Sequence, residues 1–186
     1  MQFYVQLEDV HPAIWRRFQV PGQYTFWDLH VAVQDVMGWL DTHLHQFDVK
    51  SPETGETVSF SLPDDEGWSA RPILVDWEHR IRDYFREPGD QARYSYDFGD
   101  DWEHLLKLEA ILPVAKGVRY PTCLGGERAC PPEDCGGVPG YEDLLAGDPD
   151  LVEWAGGDFK PEAFEPLSVR FSNPRQRWRW AFGQDG

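Results

Sequence analysis

The sequence predicts an α+β fold: one domain built on a mainly antiparallel sheet with helices packed on it. Three observations carry that expectation. Short segments with apolar residues at every second position recur along the chain, interrupted by stretches of helical periodicity at irregular intervals. The regular alternation of strand and helix that marks a doubly wound parallel sheet is missing. Of the 186 residues, 41% are hydrophobic, with nine Trp and eleven Phe, enough to bury a substantial core.

The elements follow in order. Phe3, Val5 and Leu7 alternate as a first strand, and residues 14–20 predict a second after the breaker His11-Pro12. Pro21-Gly22 ends it. From Thr25 the period becomes helical: Phe26, Leu29, His30, Val33, Val36 and Met37 share a face, Thr25 is the N-cap, Asp28 stands at the third helical position and Gly38 is the stop. Residues 42–50 and 58–62 predict two strands, and 63–71 an acidic loop. A second helix is expected over 76–86, where Trp77, Ile81, Tyr84 and Phe85 share a face before Pro88-Gly89. Residues 92–98 and 102–112 predict a hairpin turning at Gly99-Asp100-Asp101. The Pro- and Gly-rich segment 120–137 reads as a loop that excludes helix or central strand. Short helices are expected around Tyr141, Leu144 and Leu145, and again at Leu151, Val152 and Trp154.

Composition limits function. The net charge of −16 opposes nucleic-acid binding by the body of the chain, because a phosphate-backbone binder carries a basic stripe. The tail is the exception. Arg170, Arg175, Arg177 and Arg179 interleave with aromatics and no acid follows until Asp185, a pattern suited to stacking on bases or, equally, to packing on the acidic body. No apolar run reaches about 18 residues, and the first residues lack a signal-peptide pattern, so the expected location is the cytoplasm.

Every thiol lies in one segment. Cys123, Cys130 and Cys135, with six and four intervening residues, could supply three zinc ligands with a His completing the set, although the spacing is not that of a zinc knuckle. The alternatives are buried packing or, under oxidation, a disulfide between Cys130 and Cys135. His43 and His45, two apart on an expected strand, offer two more ligands or core-margin histidines. His104 is a candidate for catalysis together with the acids it follows, Asp97, Asp100 and Asp101, which could instead be turn formers. Convergence of the His43–His45 strand, this hairpin and the Glu133-Asp134 loop would make a pocket for metal-assisted hydrolysis. Trp15, Arg16 and Arg17, with Trp39, are candidates for a partner-binding surface, as are Glu133 and Asp134.

These residues belong to ordered motifs: Pro12-Ala-Ile-Trp-Arg-Arg17, Val20-Pro-Gly22, Leu29-His30, Met37-Gly-Trp39, His43-Leu-His45-Gln-Phe47, Tyr94-Ser-Tyr-Asp-Phe-Gly-Asp-Asp-Trp-Glu-His104 and Cys130-Pro-Pro-Glu-Asp-Cys-Gly-Gly-Val-Pro-Gly-Tyr141. Together they resemble the plasmid pRi ORF-3-like family from about residue 2 to about residue 165. That resemblance divides the chain into a domain over 2–168 and an Arg/Trp-rich tail over 169–186. It implies a compact α+β domain and a mobile-element context, since members also travel as insertion-element passengers, sometimes under a resolvase-like name. Resolvase chemistry finds no support, because the first serine, Ser51, stands in a Ser-Pro turn without surrounding arginines. Asp97-Phe-Gly99 spells a kinase tripeptide, but no Gly-rich phosphate loop or catalytic His-Arg-Asp segment accompanies it. The expected function is a binding or accessory module with a protein partner and a zinc-organised loop; the alternative is a metal-dependent hydrolase.

Overall fold

Alternation in the strand segments sorts side chains into two sets, and the sheet keeps them on opposite faces. The computed structural model describes residues 1–63 and 72–183. Its strands are β1 (Gln2–Leu7), β2 (Trp15–Gln19), β3 (His45–Lys50), β4 (Thr57–Ser61), β5 (Ile73–Val75), β6 (Gln91–Tyr96), β7 (Trp102–Ala110) and β8 (Thr122–Glu127). Among the described residues they form one eight-stranded sheet in the order β5-β4-β3-β6-β7-β1-β2-β8. All neighbours are antiparallel except β4 and β5.

Register explains the core. Phe3 pairs with Phe18 and Leu108, Val5 with Leu106, Phe47 with Tyr94, and Tyr96 with Trp102, so fully buried rings and branched chains line one face. Each such side chain contributes roughly 1.5–3 kcal/mol on leaving water. Tyr4, Gln6, Arg17, Lys107 and Glu109 point the other way, as expected for an antiparallel sheet wetted on one side.

Helix α1 (Phe26–Met37) covers the apolar face. Thr25 Oγ1 accepts the Asp28 N–H and Asp28 accepts the Thr25 N–H, a reciprocal capping box; Gly38 ends the helix at φ +93°, a conformation without a Cβ clash only for glycine. Ten of its twelve residues are buried, more than one amphipathic stripe requires. The C-terminal segment supplies the second cover: α4 (Pro174–Phe182) lies on α1, where Pro174 O accepts the Trp27 indole N–H and Arg177 pairs with Asp35 at 2.7 Å. Residues 174–182 of the arginine-rich tail are thus a helix, with Trp178 and Phe182 packed on Trp77.

Two expectations need correction. The helix expected over 76–86 is two single-turn 3₁₀ segments, Asp76–Glu78 and Ile81–Asp83. His79 and Arg80 between them are extended, because His79 O accepts the Phe26 N–H and Arg80 forms a β-bridge with Thr25. Tertiary pairing with the α1 cap outweighs local helical pattern. The cysteine segment contains an edge strand, β8, which tolerates its glycines because a single neighbour, β2, needs satisfying. The acidic loop falls mostly at 64–71, outside the described residues. The remaining helices, α2 (Gly137–Ala146) and α3 (Pro149–Trp154), lie where expected.

Candidate functional site

The β6–β7 turn is built by its own acids. Asp97 adopts φ +55°, its N–H donates to Leu44 O, and its Oδ1 accepts the N–H groups of Gly99 and Asp100. Those bonds fix the carboxylate and leave Oδ2 directed at His43. The Pro-Pro-Glu-Asp loop docks beside the turn: Gly136 N–H donates to Asp100 Oδ2, and Gly137, at φ +68°, passes so close that a Cβ would meet Asp100 O at 2.5 Å. Pro131 O accepts the Trp39 indole N–H, and Glu133 accepts from Leu40 N–H, Tyr96 Oη and Thr42 Oγ1.

The result is a three-part cluster. His43 Nε2 lies 3.0 Å from Asp134 Oδ1 and 3.5 Å from Asp97 Oδ2, and the three ligand atoms are all within 4.8 Å of one another. Among the described residues this is the one group of three or more such side chains with that spacing. Bonds of about 2.1 Å to a central ion put cis or tetrahedral ligands roughly 3.0–3.4 Å apart, close to the 3.0 and 3.5 Å of the two contacts. His43 Nε2 is shielded from solvent and lies outside hydrogen-bond geometry with either carboxylate. A cleft of about 880 Å³ opens beside the cluster, lined in part by Trp39, Leu40, Thr42, Glu133 and Asp134.

Other candidates go elsewhere. The three thiols do not converge: Cys123 contacts Arg17 O and Gly125 O, Cys130 contacts Met37 Sδ and Arg16, and Cys135 contacts Gly137 O. Burial raises all three, Cys130 to about 11 and Cys135 to about 12, which favours the thiol over the metal-binding thiolate. His43 precedes β3 and parts company with His45. The latter turns inward, 2.8 Å from Asp76 Oδ2, and stacks on His30 at 3.5 Å between ring centroids. His104 is also removed from the cluster. It is fully buried, its Nδ1–H donates to Tyr94 O, and desolvation lowers its pKa to about 4. Asp100 serves as the anchor for Gly136, and Asp101 closes the turn through its N–H to Asp97 O.

Nor does Arg16 face a partner. It is 1% exposed and bonds the carbonyls of Trp15, Val36, Glu127 and Arg128 while lying 3.7 Å above the Phe164 ring. This guanidinium ties α1, β2 and the cysteine segment together, which places the loop carrying Asp134. Arg17 pairs with Glu109 on the wet face beside Trp15 and Tyr4.

A buried polar network missed from sequence lies between α1 and β6. His30 Nε2–H donates to Asp41 at 2.6 Å, Tyr94 Oη–H donates to His30 Nδ1, and Gln34 donates to Tyr94 Oη. This wiring needs one neutral tautomer of His30, whose pKa burial lowers to about 4, and Arg177 at 3.3 Å balances the Asp41 charge. Its sequence signal is His30 and Gln34 one turn apart on a buried face. Tyr94→Phe removes a donor and an acceptor from buried partners and is expected to cost about 1–3 kcal/mol in urea unfolding.

The fold and cluster define a class: an α+β protein with one eight-stranded sheet and a His-Asp-Asp cluster at the sheet end, where β3 begins and β6 ends. The chain belongs to the plasmid pRiA4b ORF-3-like family, whose model matches residues 1–168. It is 35% identical over 185 residues to the uncharacterized protein y4hQ of Sinorhizobium fredii, covering 94% of this chain and 91% of that one. A crystal structure of MM3350, a protein of unknown function from Methanosarcina mazei Go1, is similar with a TM-score of 0.84 and 43% identity, covering 91% of this chain and 96% of that one.

Proposed function

We propose that this chain is a binding module that works through an exchangeable divalent metal held by His43, Asp97 and Asp134. The observation supporting it is that three motifs far apart in sequence deliver an imidazole and two carboxylates at ligand spacing. One nitrogen and two oxygens suit zinc or manganese, and the proposed zinc site thereby moves from the thiols to this cluster. Of the three ligands Asp134 also lines the cleft, from which a carboxylate of a protein partner would complete the coordination. The mobile-element setting belongs to the same reading as an accessory role.

A second reading is favoured by the number of ligands. Three protein ligands leave sites open, as in catalytic rather than structural metal centres, so bound water would be acidified for hydrolysis. Isothermal titration of tag-free, chelator-treated protein with zinc and with manganese tests the module. One ion per chain, bound without a change of fold, is expected; no saturable binding of either ion sinks the proposal. Metal-dependent turnover of phosphoesters or amides by the loaded protein would then favour the hydrolase, and its absence the binding module.

A further inference from the structure

A second cleft, of about 600 Å³, lies at the other end of α1, between its N-terminal turn, residues 77–80 and α4. Its walls carry three indoles, Trp27, Trp77 and Trp178, and three guanidinium groups, Arg80, Arg175 and Arg179. In a chain of net charge −16 such a concentration of arginine is local and strong. The wall from α4 lies beyond residue 168, outside the residues matched by the family model.

The indoles form a corner. Trp77 and Trp178 stand at 83° with centroids 6.0 Å apart, and Phe182 braces both while also meeting Trp27 at 5.6 Å. A planar ring entering the corner can stack on one indole and meet the edge of the other, two favoured aromatic geometries. Arg177 of the same helix is committed to Asp35 and Asp41. By contrast, among the described residues neither Arg175 nor Arg179 makes an ion pair or stacks on a ring, and both are exposed. The one acid in the wall, Asp28, has its carboxylate engaged in the α1 cap and lies within electrostatic reach of Arg175 without forming an ion pair with it.

We infer that this cleft binds a nucleoside monophosphate, its base stacked in the Trp77–Trp178 corner and its phosphate held by Arg80, Arg175 and Arg179. Guanidinium forks match phosphate oxygens, and the cleft has the volume of a small-molecule site. A long polyanion is disfavoured because the acidic body would repel the strand beyond the cleft. The inference is independent of the metal site, and testing in the presence of a chelator keeps the two apart.

The test is quenching of intrinsic tryptophan fluorescence in the full chain by adenosine monophosphate, with adenosine, inorganic phosphate and a single-stranded oligonucleotide as parallel probes. Saturable quenching by the nucleotide is expected, with adenosine and phosphate each at least about 10-fold weaker. Trp178→Ala should weaken binding by a similar factor. So should the double variant Arg175→Gln, Arg179→Gln, which changes exposed side chains and should leave the thermal melt unchanged. No saturable quenching overturns the inference, as does undiminished binding by a folded double arginine variant. Tighter, strongly salt-dependent binding of the oligonucleotide overturns it in favour of a nucleic-acid surface.

Discussion

Asp97→Asn and Asp134→Asn are each expected to lower zinc affinity by at least about 100-fold, and the double variant to abolish saturable binding. Either change removes the anionic oxygen that faces His43 Nε2 and leaves two ligands where three stood. The substitution at Asp97 is chosen for the backbone as well. Asn tolerates φ +55°, and its side-chain oxygen can still accept from Gly99 and Asp100, so the turn should persist. A melting temperature within a degree or so of the parent protein without metal, combined with lost zinc binding in calorimetry, is the expected pair of results. Parent-like affinity in both single variants would remove these carboxylates from any ligand set. The corresponding thiol change, Cys130→Ser, is expected to leave zinc affinity unaltered, because Cys130 sits against Met37 and Arg16 rather than near His43.

Mild acid is expected to destabilise the fold before any carboxylate is titrated in bulk. His30 and His104 are fully buried and both are held at about 4, desolvation being the main cause in each case. In the unfolded chain each returns to about 6.5, so between those values the unfolded state binds more protons. Stability is therefore complete above about pH 6.5 and falls as the pH drops toward 4, by roughly 2–3 kcal/mol for each histidine at about pH 4.5. Asp28 and Asp35, raised by burial, work in the opposite sense and soften the slope. His104 has a simple surrounding: Nδ1–H donates to Tyr94 O, Trp39 lies edge-on, and Nε2 has no acceptor among the described residues. A second proton there would lack a partner. Urea unfolding at about pH 7 and about pH 4.5 measures the difference; equal free energies at the two values would mean that neither histidine is held neutral.

Much of the sheet is legible in the sequence because burial is one-sided. Phe3, Val5 and Leu7, or Tyr94 and Tyr96, alternate with polar residues, and only an extended strand puts every second side chain on the same face. The α1 cap is legible for a similar reason, since Thr25, Asp28 and Gly38 act within one helix. The 76–86 segment misleads because Trp77, Ile81, Tyr84 and Phe85 do fall on one helical face. Hydrogen bonds from Phe26 and Ile81 to distant carbonyls, and the Thr25–Arg80 bridge, hold that segment in tighter turns instead. The metal cluster is half legible. His43, Asp97 and Asp134 are all candidates by residue type and motif, yet so are His45, His104 and three cysteines, and nothing in spacing separates the members from their neighbours.

The sequence by itself determined six of the eight strands, which face of each of those is apolar, where α1 starts and stops, and which motifs carry the titratable groups. Those properties depend on residues a few positions apart. Tertiary structure decided which groups meet. The sheet order puts the start of β3 beside the end of β6, Asp100 and Gly137 lock the Glu133-Asp134 loop onto the β6–β7 turn, and buried Arg16 fixes the far end of that loop. His43 and His45 illustrate the division. Two residues apart in sequence, they part because one precedes the strand at the sheet end while the other enters the core, where water is absent and Asp76 and the ring of His30 are its partners.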